Sequence, residues 1–356
     1  MAQAHGKNAF MFILVTVLID MIGFGIIAPV LPTLVTELTG ITAAEAAIWG
    51  GLLTAVYALM NFLMGPFIGN LSDKFGRRPV LLVSLGTLAI DFIIMGLANS
   101  IWLLFLGRIL AGVSGATFST ANAYIADVTS PDERGKAFGM VGAAFGIGFI
   151  IGPAIGGYLS GIDTRAPFFA AAGLAALNML YGLFVLPESL SKEDRRPFNI
   201  LRANPLGAFQ HFSKLPHVSW LLLAIGLFAL AHFVYPSTWA WHGKIRYDWS
   251  EEEIGLSLAL VGLASAIAQG GLMGPVLKRF GPVKTAQIGI GVNVLALVGF
   301  AFAGSPVLLY ALILFSGFGG FAGPAVNSLM SNATPKDSQG ELQGANASIQ
   351  SVAAIF

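Results

Sequence analysis

Apolar runs of about twenty residues follow one another along almost the whole chain, separated by short polar turns. A hydrocarbon layer about 30 Å thick needs about 20 residues of helix, and within it every backbone N–H and C=O must be satisfied inside the segment. Such a chain has to fold as a bundle of membrane-crossing helices. Eleven spans are read, at residues 10–36, 46–69, 79–98, 101–124, 136–161, 165–187, 218–241, 252–276, 283–303, 306–328 and 341–356. The first is too long for a signal-peptide core and carries Asp20, so it is read as a permanent helix. Only 10% of the residues are charged, against roughly 25% in soluble domains, which excludes an ordinary cytosolic enzyme. A net charge of +1 offers no field to hold nucleic acid, and the lack of cysteine excludes disulfides, thiol chemistry and Cys-ligated metals.

Charge placement sets the expected orientation. Fifteen of the nineteen Lys and Arg fall on the side of the amino terminus and of the long polar segment 188–217, three fall on the other side, and Arg108 lies within a span. By the positive-inside rule the amino terminus and that segment are cytoplasmic. The segment divides the chain into an N-terminal six-helix half, 1–187, a cytoplasmic linker, 188–217, and a C-terminal half, 218–356.

The two halves repeat. Gly69-Asn-Leu-Ser-Asp-Lys-Phe-Gly76 aligns with Gly274-Pro-Val-Leu-Lys-Arg-Phe-Gly281, and Asn122 to Gly139 aligns with Asn327 to Gly344, both without a gap at a shift of 205. Two parallel copies of a six-helix unit account for one shared offset. Carried forward, the offset implies an eleventh helix cut short at Phe356 and a twelfth missing.

Three charges lie inside apolar spans: Asp20, Asp91 and Arg108. A charge near a helix centre is penalised by roughly 2.5–3.5 kcal/mol on translocon scales, so these residues are expected to face a polar cavity. At about 1.5 Å per residue, Asp91 and Arg108 lie at similar depth and can pair, whereas Asp20 lies about 15 Å from the start of its helix. One guanidinium against two carboxylates leaves one acid unpartnered. Asp20 is assigned that place and is expected to exchange its proton with the substrate. Asn61, Asn122, Asn178, Gln269, Asn293 and Asn327, with Phe233, Tyr235, Tyr57, Phe62, His232 and Trp239, are candidates for the cavity wall. Trp239, Trp241 and His242 are read chiefly as an interfacial aromatic belt. No phosphate-binding Gly-x-x-x-x-Gly-Lys-Ser/Thr loop occurs, the histidines show no metal-ligand spacing, and neither a cofactor nor a metal is expected.

The loop Gly69-Asn-Leu-Ser-Asp-Lys-Phe-Gly-Arg-Arg-Pro79 resembles the signature between the second and third helices of the major facilitator superfamily. Gly139, Gly148, Gly152-Pro153 and Gly156-Gly157 are spaced like the fifth-helix signature of its drug/proton antiporters. Asp20 to Pro32, Gly107-Arg108-Ile-Leu-Ala-Gly112, Ala123-Tyr-Ile-Ala-Asp127 and Gln339 to Gly344 are similar to the tetracycline/proton antiporters. That group has a membrane aspartate and a histidine where this chain has Asn293 and Ser265, while Gln269 does match. The resemblance implies an all-α major facilitator fold in which Asp73, in the loop from Gly69, meets the start of the eleventh helix near Gly340 to Gly344; by charge, Arg77 or Arg134 can pair with Asp73 or Asp127, completing a latch across the cytoplasmic mouth. The glycines of the fifth span form one smooth face and Pro153 permits a bend.

The expectation is therefore a monomeric integral protein of the bacterial inner membrane. It exports tetracycline-like or other amphipathic drugs against protons by alternating access and is not an enzyme. A metabolite or sugar carrier of the same fold, or an inactive truncated fragment or membrane scaffold, are the alternatives.

Overall fold

The computed structural model describes residues 2–114, 117–129, 134–199, 204, 218–334, 342, 346, 348–350 and 352–355. Among them the chain is helical, with no strand. The first half holds α1 (Ala2–Ile27), α2 (Leu31–Thr39), α3 (Ala43–Phe75), α4 (Arg77–Gly96), α5 (Ile101–Ser114), α6 (Thr117–Val128), α7 (Arg134–Ser160) and α8 (Ala166–Val185). The second holds α9 (Ser219–Tyr247), α10 (Glu251–Ala266), a π-helical turn Ile267–Leu272, α11 (Met273–Phe302), α12 (Pro306–Ser316), a 3-10 turn Gly317–Phe321 and α13 (Ala322–Ala333). These elements account for the first ten expected spans, α1 with α2 making the first, α5 with α6 the fourth and α12 with α13 the tenth, while α11 ends the eighth and, beyond a kink at Gly281, forms the ninth; of the eleventh, residues 341, 343–345, 347, 351 and 356 lie outside the described residues.

Local chemistry explains the boundaries. Pro29 and Pro32 end α1 and restart the chain as α2, which closes on Gly40 at φ +67°. Capping boxes, Thr42 with Glu45 and Ser250 with Glu253, start α3 and α10. Gly76, between α3 and α4, and Gly281, where α11 breaks into two helical parts, have φ of +105° and +74°, so both linker-side turns pass through a left-handed glycine. They stand 205 positions apart, the same offset as the sequence repeat.

Packing follows the glycines. α1 lies against α7 and α8, α4 against α5 and α8, and α3 against α5, while across the halves α10 packs on α7 and α9 on α3. Gly148, Gly152 and Gly156 all face α1, where an added Cβ would sit 2.5 Å from Met21 Cβ at the first and 2.6 Å from Ile22 O at the second. Gly157 instead faces the backbone of Glu251 on α10. Close backbone approach of this kind is how helices associate in lipid, where burial of apolar surface gives no drive. Outward-facing Phe184 and Phe302 are 87% and 81% exposed, which a lipid-facing surface permits.

Candidate functional site

Three helices of the first half bring the intramembrane charges together. Asp91 on α4 is fully buried, and its Oδ2 accepts from Arg108 Nη2 on α5 at 2.7 Å. Gly107 permits that approach, since a Cβ there would stand 2.6 Å from Asp91 Oδ1. The same Nη2 lies 2.7 Å from Met95 Sδ, and the guanidinium carbon is 5.8 Å from the centre of the Tyr57 ring. A carboxylate, a thioether and a ring face thus surround the cation. Asp20 enters from α1 and is buried, and its Oδ1 has no hydrogen-bond partner among the described residues. Asp91 Oδ1 and Arg108 Nε are likewise unpartnered.

All three charged side chains line one cavity of ≈ 200 Å³ between the halves. Its wall is aromatic, with Phe24, Tyr57, Phe92 and Phe149 from the first half and Phe233, Trp239 and Trp241 from the second. A second cavity of ≈ 520 Å³ adjoins it, shares Phe233, Trp239 and Trp241, and adds Tyr235 and His242. Buried polar atoms without partners beside aromatic surface suit a molecule with a polar head and an apolar body.

Among the wall candidates, Phe233 faces both cavities and Tyr235 the second, but of the amides named from sequence those with described side chains line neither. Asn293 accepts from Tyr235 Oη at 3.1 Å and lies beneath Gly319. Gln269 packs against Gly320, where the π-helical and 3-10 turns meet. Asn61 sits one turn after Tyr57 in α3, and Asn178 accepts from Thr16 at 3.2 Å between α1 and α8. The side chain of Asn122 lies outside the described residues. Trp239 and Trp241 are not an interfacial belt but are buried: Trp239 Nε1 donates to Ser257 Oγ at 2.8 Å, and Trp241 fills the space left by Gly50. Their small partners, Ser257 and Gly50, were the only signal, and it sits on other helices.

On the linker side, Arg77 joins Asp73 at 2.6 Å and Asp127 at 3.3 Å, tying the ends of α3 and α6 to the start of α4. Gly69 precedes them in the last turns of α3 with open space around it. The Arg134 side chain and most of Gly340 to Gly344 lie outside the described residues. A residue not anticipated from sequence completes the cluster. Glu188 Oε1 accepts from the backbone N–H of Arg77 at 2.8 Å, Ser189 at 3.1 Å and Leu190 at 3.2 Å, and its other oxygen lies against Gly76. An acid directly after Pro187, at the end of the sixth span and opposite a basic loop, was the available signal. Among the described residues, no group of three or more potential metal ligands converges.

Fold and site together define an integral membrane transporter rather than an enzyme. The chain belongs to the Major Facilitator Superfamily, whose pattern spans residues 13–356. It is 40% identical over 349 residues to the tetracycline resistance protein, class C, of Escherichia coli, covering 98% of this chain and 87% of that protein. It is 36% identical to the class G protein of Vibrio anguillarum, over 98% of this chain and 88% of that one. Multidrug resistance protein 2 of Bacillus subtilis is 29% identical, over 98% and 87%. In fold it resembles the human organic anion transporter MFSD10, with a TM-score of 0.75 at 22% identity over 98% of this chain and 91% of that one. The nucleoside transporter NupG matches with 0.77 at 14% identity, over 98% and 89%.

Proposed function

We propose that this protein exports tetracycline-like and other amphipathic drugs across a bacterial inner membrane in exchange for protons. Asp20 carries the reading: it is a buried carboxylate with a free oxygen on the wall of a cavity whose only cation among the described residues, Arg108, is already bonded to Asp91. With all three ionised the group holds one excess negative charge, which either a proton or a cationic head group can neutralise. Competition between them for one carboxylate couples the two fluxes, provided each favours a different orientation of the halves. An inward proton releases about 2.3 kcal/mol per 100 mV of membrane potential, before any pH gradient is counted.

The proposed halves are 1–187 and 218–356, joined by the cytoplasmic linker 188–217, with the amino terminus cytoplasmic and the protein acting as a monomer. No nucleotide or metal cofactor takes part; the proton gradient supplies the energy. The names of the relatives support drug efflux, and the aromatic wall supports an amphipathic cargo. Inverted membrane vesicles given tetracycline, cationic dyes and sugars in turn test the reading. Proton-dependent accumulation of a drug is the expected result, and sugar transport without drug exchange would overturn it.

A further inference from the structure

The two halves meet on the side away from the linker through a small polar cluster. Lys244, in the last turn of α9, holds Glu251, at the start of α10, at 3.0 Å. Both belong to the second half. Thr33, from α2 of the first half, is inserted between them: its hydroxyl donates to Glu251 Oε1 and accepts from Lys244 Nζ at 3.1 Å. The cluster is partly sheltered, with the Lys244 and Glu251 side chains only 26% and 21% exposed.

The surroundings make this contact a seam. Gly157 of α7 fits against the Glu251 carbonyl, Gly255 of α10 fits against the Pro153 carbonyl, and Trp241 of α9 fills the hollow at Gly50 of α3. Three first-half helices and two second-half helices thus touch on one side of the cavity. The ion pair lies within one half and survives any separation, whereas the Thr33 bonds span the halves and must break when they part.

We propose that Thr33, Lys244 and Glu251 form the outer gate of the transport path, with Thr33 the member that releases. The Lys244–Glu251 pair presents a preassembled donor and acceptor to a single hydroxyl, so the halves close in one register. This proposal rests on alternating access between the two sides and on the cytoplasmic placement of the linker proposed above, but not on the identity of the cargo or on proton coupling.

Because the chain has no cysteine, one introduced thiol is the sole target of a thiol reagent. Ser237 lines the cavity and is a near-isosteric position for it. In a Ser237→Cys background, labelling by a membrane-impermeant maleimide applied outside intact cells reports outward opening and needs neither substrate nor gradient. Thr33→Val keeps the shape and removes the hydroxyl; a hydrogen bond to a charged group typically holds a population ratio of about tenfold or more, so labelling should accelerate by about tenfold. Labelling of inverted vesicles should slow correspondingly. Thr33→Ser should return both rates to the parent values, which loss of folding would not do. Glu251→Gln, which weakens the acceptor without removing it, should give an intermediate rate. Equal labelling of the parent, Thr33→Val and Glu251→Gln would overturn the gate, and so would a Thr33→Ser protein as open as Thr33→Val. Drug export remains measurable in each variant, so failure of the exporter reading would register separately as absent transport with normal labelling shifts.

Discussion

Arg108 Nη2 and Asp91 Oδ2 stand 2.7 Å apart on adjacent helices, and the glycine preceding the arginine leaves the other carboxylate oxygen its only room. Gly107→Ala would place a methyl carbon 2.6 Å from that oxygen. Overpacking of this kind typically destabilises by about 1–3 kcal/mol, and here the strain falls on the ion pair itself. Transport by Gly107→Ala should fall at least about tenfold at equal membrane abundance, measured as drug accumulation in inverted vesicles.

Asp20 differs from Asp91 in having no cationic partner among the hydrogen bonds and ion pairs described. Asp20→Asn preserves shape and hydrogen-bonding capacity while removing the exchangeable proton. Drug-dependent proton movement should drop to the background of vesicles lacking the protein, with the amount of protein in the membrane unchanged. Proton-driven efflux persisting in this variant would locate the coupling group elsewhere.

Removing one member of the buried pair leaves the other charge uncompensated. Asp91→Asn should lower stability by about 3–5 kcal/mol, whereas the double replacement Asp91→Asn with Arg108→Met should lose less than the sum of the single changes. Thermal unfolding in detergent, run as a double-mutant cycle, measures the difference. Additive losses would show that the two side chains do not depend on each other.

The glycines of α7 allow a comparison within one helix. Gly156 abuts the Ile26 carbonyl of α1, while an added Cβ at Gly146 meets nothing within 4 Å. Gly156→Ala must push α1 and α7 apart, so both stability and transport should fall. Gly146→Ala should be neutral or stabilise slightly, by up to about 1 kcal/mol, because alanine favours helix over glycine. Thermal unfolding and transport of the two variants decide the matter; equal effects would mean that close approach to α1 is not what the glycine pattern serves.

The parts of the molecule that depend on period and charge were readable in the sequence. Hydropathy marked the spans, the 205-residue offset matched two glycines that prove to share a left-handed turn, and helical depth alone brought Asp91 to Arg108. What escaped was lateral direction. A polar residue at membrane depth looks the same in sequence whether it faces a cavity or satisfies a neighbour, so the sequence offers Asn293 as wall although its Oδ1 accepts from Tyr235. Tryptophans near a helix end fit an interfacial belt equally well until the small residues that receive them are known. Glu188 is harder to read because its Oε1 is held by backbone N–H groups, which leave no trace in residue type; only its longer ion pair with Arg195, at 3.8 Å, joins two side chains.

Arg77 reaches Asp73 with Nη1 and Asp127 with Nε, and Nη1 also donates to Ser72 Oγ. A guanidinium can serve these acceptors together because its donors are fixed in a plane; an ammonium is a single point at the end of a chain. Arg77→Lys therefore keeps the charge but loses one of the two carboxylates. Partly exposed ion pairs contribute only about 0–1 kcal/mol each, so the unfolding temperature should move little. The transport rate should nevertheless fall several-fold, because the ends of α3, α4 and α6 would no longer be held as one body on the linker side. Comparing drug efflux with thermal unfolding for Arg77→Lys separates these effects: a variant that transports at the parent rate would show that this bridge has no part in gating.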